Sequence, residues 1–429
     1  MNVLRICGQT RLTGEVAASG SKNAALPIMA ASLLASEAVR LTRVPELTDI
    51  RTLSRLLQGL GLFLARRGDE VLIETRDERP TRAENTYVRR MRASFCVLGS
   101  LLARRGQAIV PLPGGCKIGD RPIDLHLRGL SALGADIAIR QGCVVARARG
   151  LTGARVHLAG ARGPTVTGTA NVLSAAVLAR GTTLITGAAR EPEIVDLGRF
   201  LQALGARIDG VGTGTIRVRG VDQLGGGTYQ IIPDRIETAT LLLAAAMTRG
   251  SIRVTDTNPA HLTAMLDRLS DAGAAVETTG DSIRLAMCGR PKPVSIVARP
   301  HPGVPTDLQA QWTAFMCLAR GQSLVRDAVF PERFDHVSEL SRLGASLCRQ
   351  GDSVCVRGTE SLTGGIVRAS DLRASAAMVL AGLAASGETT VTGLRHLDRG
   401  YERLEEKLSR LGASIERTAS VCRVGTAHH

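Results

Sequence analysis

Pro192-Glu193-Ile194-Val195-Asp196-Leu197-Gly198-Arg199-Phe200-Leu201-Gln202-Ala203-Leu204-Gly205-Ala206-Arg207-Ile208 is the stretch that decides the fold. Apolar Ile194, Leu197, Leu201 and Leu204 follow helical spacing, and Pro192 suits the first turn of a helix. Gly205 stands where a helix ends and the backbone turns left-handed, a conformation that costs glycine least. The segments that follow, such as Arg207-Ile208 and Thr215-Ile216-Arg217-Val218, read as strands.

The same helix-ending signal recurs along the whole chain. It stands at Leu60-Gly61-Leu62, Leu133-Gly134-Ala135, Ala272-Gly273-Ala274, Leu343-Gly344-Ala345 and Leu411-Gly412-Ala413, about seventy residues apart each time. A second landmark is an alanine-rich helix followed by a turn and a strand. It is read at Ser174–Gly181, Leu241–Gly250, Cys317–Gly321 and Met378–Gly387, with Thr183-Leu184-Ile185 and Ser251-Ile252-Arg253-Val254 among the strands. Pro259–Asp271 repeats the amphipathic pattern with Leu262, Met265, Leu266 and Leu269. Six similar units predict an α/β fold of two domains, three units each, with helices inside a ring of short sheets. A solenoid fits less well, because its repeats are usually about 20–50 residues long. The natural break follows the third unit, near Gly225-Gly226-Gly227 and Ile232-Pro233, and the cleft between the two lobes is the expected binding site.

Composition narrows the class. A length of 429 residues exceeds one ordinary core, and 44% apolar with 22% charged residues is globular. With six Phe, three Tyr and one Trp, the cores must be filled by Ala, Leu, Val and Ile. No apolar run reaches the eighteen or so residues that span a bilayer, and Met1–Cys7 lacks a signal-peptide apolar region. Nine cysteines without a CxxC pair read as reduced thiols of a cytoplasmic protein. The net charge of +15 is nearly all arginine, since the lysines are Lys22, Lys117, Lys292 and Lys407. It admits a coding bias on solvated faces or arginines that bind anionic substrates. Nucleic-acid binding would need basic runs interleaved with aromatics, and Arg66-Arg67 and Arg89-Arg90 do not supply them.

Pro111-Leu112-Pro113-Gly114-Gly115-Cys116-Lys117-Ile118-Gly119-Asp120-Arg121-Pro122 breaks the repeat. Three glycines suit a loop that closes over a ligand, and Lys117 and Arg121 would favour the thiolate of Cys116. The alternative is an inert small residue in a turn. No GxxxxGK[ST], GxGxxG or HExxH motif occurs and the eight histidines are scattered, so neither a nucleotide loop of those kinds nor a metal site is expected. Ser19-Gly20-Ser21-Lys22-Asn23 opens a helix running to Leu34, where backbone N–H groups and a lysine would suit a phosphate. A solvated cap reads equally well there. Pro305–Gln311, Asp371–Ser375 and Asp398–Arg403 each put a carboxylate or guanidinium where a loop meets a helix. Singly, such residues are more often caps and surface pairs.

Taken together, these stretches resemble a known family. Gly20-Ser21-Lys22-Asn23-Ala24-Ala25-Leu26-Pro27, Met91-Arg92-Ala93-Ser94, Pro113-Gly114-Gly115-Cys116 and Arg190-Glu191-Pro192-Glu193-Ile194-Val195-Asp196 carry the likeness. So do Pro233-Asp234-Arg235-Ile236-Glu237-Thr238, Pro305-Thr306-Asp307, Asp371-Leu372-Arg373-Ala374 and Asp398-Arg399-Gly400-Tyr401-Glu402-Arg403. In order and spacing they resemble the UDP-N-acetylglucosamine 1-carboxyvinyltransferase family of the EPSP synthase-like enolpyruvyltransferases, from about residue 3 to residue 417.

The resemblance implies two inside-out α/β barrels of three repeats, with the active site in the cleft between them. It assigns residues 22–232 to the first barrel, residues 1–21 and 233–417 to the second, and 418–429, with Cys422, His428 and His429, to a disordered tail. It implies transfer of the enolpyruvyl group of phosphoenolpyruvate to the 3-hydroxyl of UDP-N-acetylglucosamine, with phosphate released and no metal or organic cofactor. Cys116 matches a loop thiol that supplies a proton toward C3 of phosphoenolpyruvate and reacts with the epoxide fosfomycin. Asp307 matches the carboxylate that takes the sugar hydroxyl proton. Lys22, Arg121 and Arg399 match phosphate-binding cations, and Arg333 and Arg373 match groups near the phosphoenolpyruvate carboxylate. Asn23, Arg92, Val329, Asp371 and the run Pro122-Ile123-Asp124-Leu125 match substrate-positioning residues. A cytoplasmic chain, monomeric or weakly self-associating and without nucleic-acid or membrane partners, is the expectation. The alternatives are a paralogue serving another nucleotide or nucleoside and a silent nucleotide-binding regulator.

Overall fold

Six glycines fix where six helices stop. In the computed structural model, which describes residues 2–114 and 122–419, Gly61, Gly134, Gly205, Gly273, Gly344 and Gly412 all lie in the left-handed region, with φ of 86°, 94°, 105°, 101°, 88° and 98°. In all but the first of these ends, the residue after the glycine then donates back to a carbonyl five residues earlier. Ala206 reaches Leu201 at 2.9 Å, Ala274 reaches Leu269 at 3.0 Å and Ala413 reaches Leu408 at 3.0 Å. These bonds satisfy carbonyls that a helix end would otherwise leave open, and they turn the chain straight into a strand.

Each unit runs buried helix, strand, amphipathic helix, hairpin. In the third unit these are Val166–Ala176, Thr182–Thr186, Pro192–Ala203 and the pair Arg207–Asp209 with Thr215–Arg219. Strand 182–186 lies antiparallel to 215–219 and parallel to an edge strand, Arg155–His157. The fifth unit repeats this, with Gln322–Asp327 between Ser353–Arg357 and Ile296–Ala298. Period-two burial holds the sheets in place: in Ser251–Thr255, Ile252 and Val254 are buried while Arg253 is exposed. The second unit is the reduced one. Its edge strand shrinks to an isolated bridge between Arg82 and Ile109, leaving three strands.

The sheets close two rings around two cores. Gly227–Gln230 pairs with Val39–Thr42 and links the third unit to the first. Asn2–Cys7 enters the sixth sheet between Glu388–Thr392 and Ser414–Ala419, and Thr13–Ala17 edges the fourth sheet. Buried apolar residues accordingly form one cluster drawn from residues 24–231 and another drawn from residues 4–18 and 236–413. The inner helices of the first are Lys22–Ala31, Val97–Arg105 and Val166–Ala176. Those of the second are Arg235–Met247, Gln309–Met316 and Leu372–Ala384. Their many alanines and few aromatics allow close helix approach. In the second core, Trp312 and Phe315 meet edge to face at 5.4 Å.

Several boundaries differ from the sequence expectation. The helix expected at Cys317–Gly321 ends at Met316, and the helix from residue 22 becomes a 3-10 turn at Ser32–Leu34. Pro259–His261 is a 3-10 turn capped by Asn258, whose side chain accepts from Ala260 N at 3.1 Å, and the helix proper begins at Thr263. Thr418 and Ala419, assigned to a tail, belong to the last strand, paired with Val3 and Asn2. Their backbone groups complete an existing sheet edge, which local composition does not reveal. Cys116, Lys117, Asp120, Arg121, Cys422, His428 and His429 lie outside the described residues. No helix of the described residues is long and apolar enough to cross a membrane.

Candidate active site

The two lobes meet where chain segments cross between them. Gly20 bridges to Pro233, and a Cβ at Gly20 would stand 1.7 Å from the Arg43 carbonyl oxygen, so only glycine fits this crossing. Beyond it, Ser21 caps the helix Lys22–Ala31 by accepting from Ala24 N at 3.3 Å. Lys22 and Asn23 thereby stand side by side on its first turn.

Asn23 Nδ2 donates to Asp307 Oδ2 at 3.2 Å, from one lobe to the other. Asp307 sits on the 3-10 turn Thr306–Leu308 ahead of the helix Gln309–Met316. Two guanidiniums grip its carboxylate: Arg333 Nη1 at 2.8 Å from Oδ1 and Arg373 Nη2 at 2.8 Å from Oδ2. Both arginines are nearly buried, while the Asp307 side chain keeps 24% exposure, so Asp307 is the most accessible of the three. Burial pushes its pKa up, but Arg373 and Arg333 outweigh it and hold Asp307 well below the usual carboxylate range. Arg373 comes from the first turn of the helix Leu372–Ala384, which Asp371 caps by accepting from Arg373 N at 2.7 Å and Ala374 N at 3.2 Å.

Lys22 has a partner that the sequence reading missed. Its Nζ lies 2.7 Å from Asp49 Oδ2, and Arg399 Nε lies 2.8 Å from Asp49 Oδ1, with Nη2 3.3 Å from Oδ2. Asp49 opens the helix Thr48–Gly59 and is buried. Burial raises its pKa, but Lys22 and Arg399 bring it below the ordinary value. Lys22 moves the other way from most paired lysines: burial, with the nearby charges of Arg373 and Arg399, lowers it despite Asp49. The only sequence signal for Asp49 was an acid in a helix's first turn, which the macrodipole explains equally well.

Further groups, quoted in the sequence motifs but given no role there, support the cluster. Gln311 Nε2 donates to the Asp307 carbonyl at 3.0 Å and to the Tyr401 hydroxyl at 2.9 Å. The Arg373 guanidinium lies 5.5 Å from the Tyr401 ring. Asp234 caps the helix Arg235–Met247 and also accepts from Lys22 N at 3.2 Å. Arg235 and Glu193 pair across the lobes at 2.9 Å, both buried. Loss of one partner from such a pair costs about 3–5 kcal/mol, because a charge is left uncompensated.

The remaining expected residues lie on two separate segments, Arg92 with Pro122–Leu125 on one and Val329 on the other. Arg92 opens a 3-10 turn, Arg92–Cys96, and its Nη2 donates to the Pro122 carbonyl at 3.3 Å. Ile123 precedes the helix Asp124–Ala132, with Asp124 exposed and Leu125 half-buried. Val329 N donates to Asp327 Oδ1 at 2.9 Å, and Asp327 also accepts from Phe330 N at 2.8 Å, shaping the loop that leads to Arg333. Among the described residues no group of three or more His, Cys, Asp or Glu is placed to hold a metal ion.

Cations from both three-unit lobes are thus gathered on two carboxylates, Asp49 and Asp307. A family model described as EPSP synthase (3-phosphoshikimate 1-carboxyvinyltransferase) matches residues 6–408, and the chain belongs to that family. It is an enolpyruvyl transferase. UDP-N-acetylglucosamine 1-carboxyvinyltransferase of Psychrobacter sp. (strain PRwf-1) is 47% identical over 425 residues, 98% of this chain and 98% of that one. The enolpyruvyl transferase NikO from Streptomyces tendae has a TM-score of 0.88 at 26% identity, covering 98% of this chain and 99% of that one. EPSP synthase from Acinetobacter baumannii shares the fold, with a TM-score of 0.75 at 19% identity over 98% of this chain and 100% of that one.

Proposed function

We propose that this chain transfers the enolpyruvyl group of phosphoenolpyruvate to the 3-hydroxyl of UDP-N-acetylglucosamine, releasing phosphate. This is the first committed step of peptidoglycan synthesis, and it makes the chain a cytoplasmic contributor to cell shape and division. The full-length likeness to the Psychrobacter enzyme supports the substrate pair. The observation that carries the chemistry is the Asp307 carboxylate held between Arg333 and Arg373, with Lys22 and Arg399 gathered on Asp49 beside it.

Each carboxylate is matched by two cations, so the four cations and two carboxylates leave a surplus of two positive charges. That surplus suits a small substrate bearing both carboxylate and phosphate. Asp307 is a weak base while both arginines hold it. An incoming anion that draws either guanidinium away raises the basicity of Asp307 when the acceptor hydroxyl arrives. The hydroxyl oxygen then bonds to C2 of phosphoenolpyruvate, Asp307 takes its proton, and Cys116 delivers a proton to C3. The tetrahedral ketal collapses with loss of phosphate and of a C3 proton, restoring the double bond. The cations stabilise the carboxylate and phosphate of that ketal, and a loop closing over it keeps water from the reactive carbon. Residues 22–232 form one wall of the cleft and residues 1–21 with 233–419 the other, in a monomer or weak homo-oligomer.

The test is phosphate release with both substrates, repeated with other uridine nucleotides. Turnover with UDP-N-acetylglucosamine is expected. Turnover only with a different nucleotide would make the chain a paralogue, and tight binding without phosphate release would make it a regulator. Cys116→Ser is expected to lose most turnover. Cys116→Asp is expected to keep activity and to escape fosfomycin, because a carboxyl delivers the proton without offering a thiolate to the epoxide.

A further inference from the structure

Outside the cleft, one hairpin brings two thiols face to face. Strands Ser346–Gln350 and Ser353–Arg357 are joined by Gly351-Asp352, with Gly351 at φ 59°. Their register sets Cys348 directly opposite Cys355, between the pairs Leu347–Val356 and Arg349–Val354. Val354 and Val356 are buried, so strand alternation turns Cys355 to the outer face, where Cys348 is exposed and Cys355 half-buried. Gln322, on the neighbouring strand, donates to Cys355 Sγ at 2.9 Å.

Directly opposed residues of an antiparallel pair have Cα atoms about 4.5–5.5 Å apart, within the roughly 4.4–6.8 Å that a disulfide spans. The other strand cysteines of the described residues face no thiol. Cys143 lies opposite Pro111 and Arg140, and Cys7 lies opposite Glu388 and Ser414.

We propose that Cys348 and Cys355 are a vicinal dithiol that closes reversibly into a cross-strand disulfide by exchange with small disulfides such as oxidised glutathione. The Cys348 thiolate attacks one sulfur of the small disulfide, breaking its S–S bond and releasing one thiol. The Cys355 thiolate then attacks Cys348 Sγ and displaces the second. Two protein thiols are oxidised, each losing its proton, and one disulfide is reduced to two thiols. Exposure on the sheet surface leaves the product open to the reverse reaction, as for labile rather than structural disulfides. Closure occurs in a hairpin that contacts the loop carrying Arg333: Arg349, between the two cysteines, pairs with Glu332 at 3.1 Å and lies over the Phe334 ring, on either side of Arg333.

The folded full chain is titrated with oxidised glutathione, free thiols are blocked by alkylation, and tryptic peptides are weighed. Cleavage after Arg342, Arg349 and Arg357 puts one cysteine on Leu343–Arg349 and one on Gln350–Arg357. The expected product is these two peptides joined, two hydrogens lighter than their sum, and separated again by dithiothreitol. Exposed Cys7 and Cys288 are internal controls that stop at the glutathione adduct. The joined pair should form at about tenfold lower oxidised glutathione than those adducts, because the second step is intramolecular. Cys355→Ser should leave Cys348 as a lasting adduct. Adducts on both Cys348 and Cys355 in the unsubstituted chain, without joined peptides, would overturn the proposal. These masses are read without any turnover, so the outcome is independent of the proposed reaction.

Discussion

Asp49 and Asp307 are both gripped by two cations, and Lys22 and Asn23, neighbours on one helix, hold one each. They differ in reach and exposure. Asp49 sits in the first lobe and takes Arg399 from the second, with 4% of its side chain exposed. Asp307 takes both arginines from its own lobe, receives the Asn23 amide alone from the other lobe among the described residues, and keeps 24% exposure. The first arrangement pins two lobes together. The second leaves a carboxylate partly exposed, its charge balanced by two arginines of its own lobe.

Substitution separates the two roles. Asp307→Asn should lower kcat for phosphate release by about a thousandfold, within the range for loss of a general base, while the chain still folds. Turnover near the unsubstituted rate would show that Asp307 is only a clamp for its arginines. Asp49→Ala should cost about 3 kcal/mol in urea unfolding, the low end for breaking a buried pair because Arg399 keeps 23% exposure. A loss below about 1 kcal/mol would mean that Asp49 does not pin the lobes.

Acid distinguishes them more gently. Both carboxylates have folded values below the ordinary 3.8, so their stabilisation is full above the unfolded value and is lost as pH falls through the folded one. Unfolding followed from pH 5 downward should therefore show a stability slope shallower by up to about 1.4 kcal/mol per pH unit in Asp307→Asn. An unchanged slope would mean that Asp307 is not held by the arginines in solution. The smallest effect is expected for Tyr401→Phe, which removes a hydroxyl bonded to Gln311 at 2.9 Å and Thr240 at 3.2 Å. About 1 kcal/mol of stability should go, with catalysis reduced far less than in Asp307→Asn.

Much of the architecture was legible because its punctuation is local. A left-handed cap needs glycine, so six caps announce six helix ends, and the alternation after them announces strands. The cations of the cleft were legible because Lys22, Arg373 and Arg399 sit in distinctive stretches at helix starts. Asp49 was not. An acid in a first turn is ordinary, and what makes this one unusual is Arg399, 350 residues away. Gln311 and Tyr401 were hidden for the same reason, since each looks like a core residue until its partner is known. Nor does the alternation of Asn2–Cys7 say which sheet it enters, because its partners lie at the far end of the chain.

That last pairing has a consequence for the order in which the protein is made. The first core draws only on residues 24–231, so every contact it needs has been synthesised before the second lobe's own helices emerge. The second core requires Asn2–Cys7 to wait for Glu388–Thr392 and Ser414–Ala419, which are made long after it. Until then the strand is an unpaired edge of Val3, Leu4 and Ile6, held beside an already finished neighbour. The lobe that carries Asp307 and its arginines is thus completed well after the first, and the carboxylates and cations that meet between the lobes come together only once both are made.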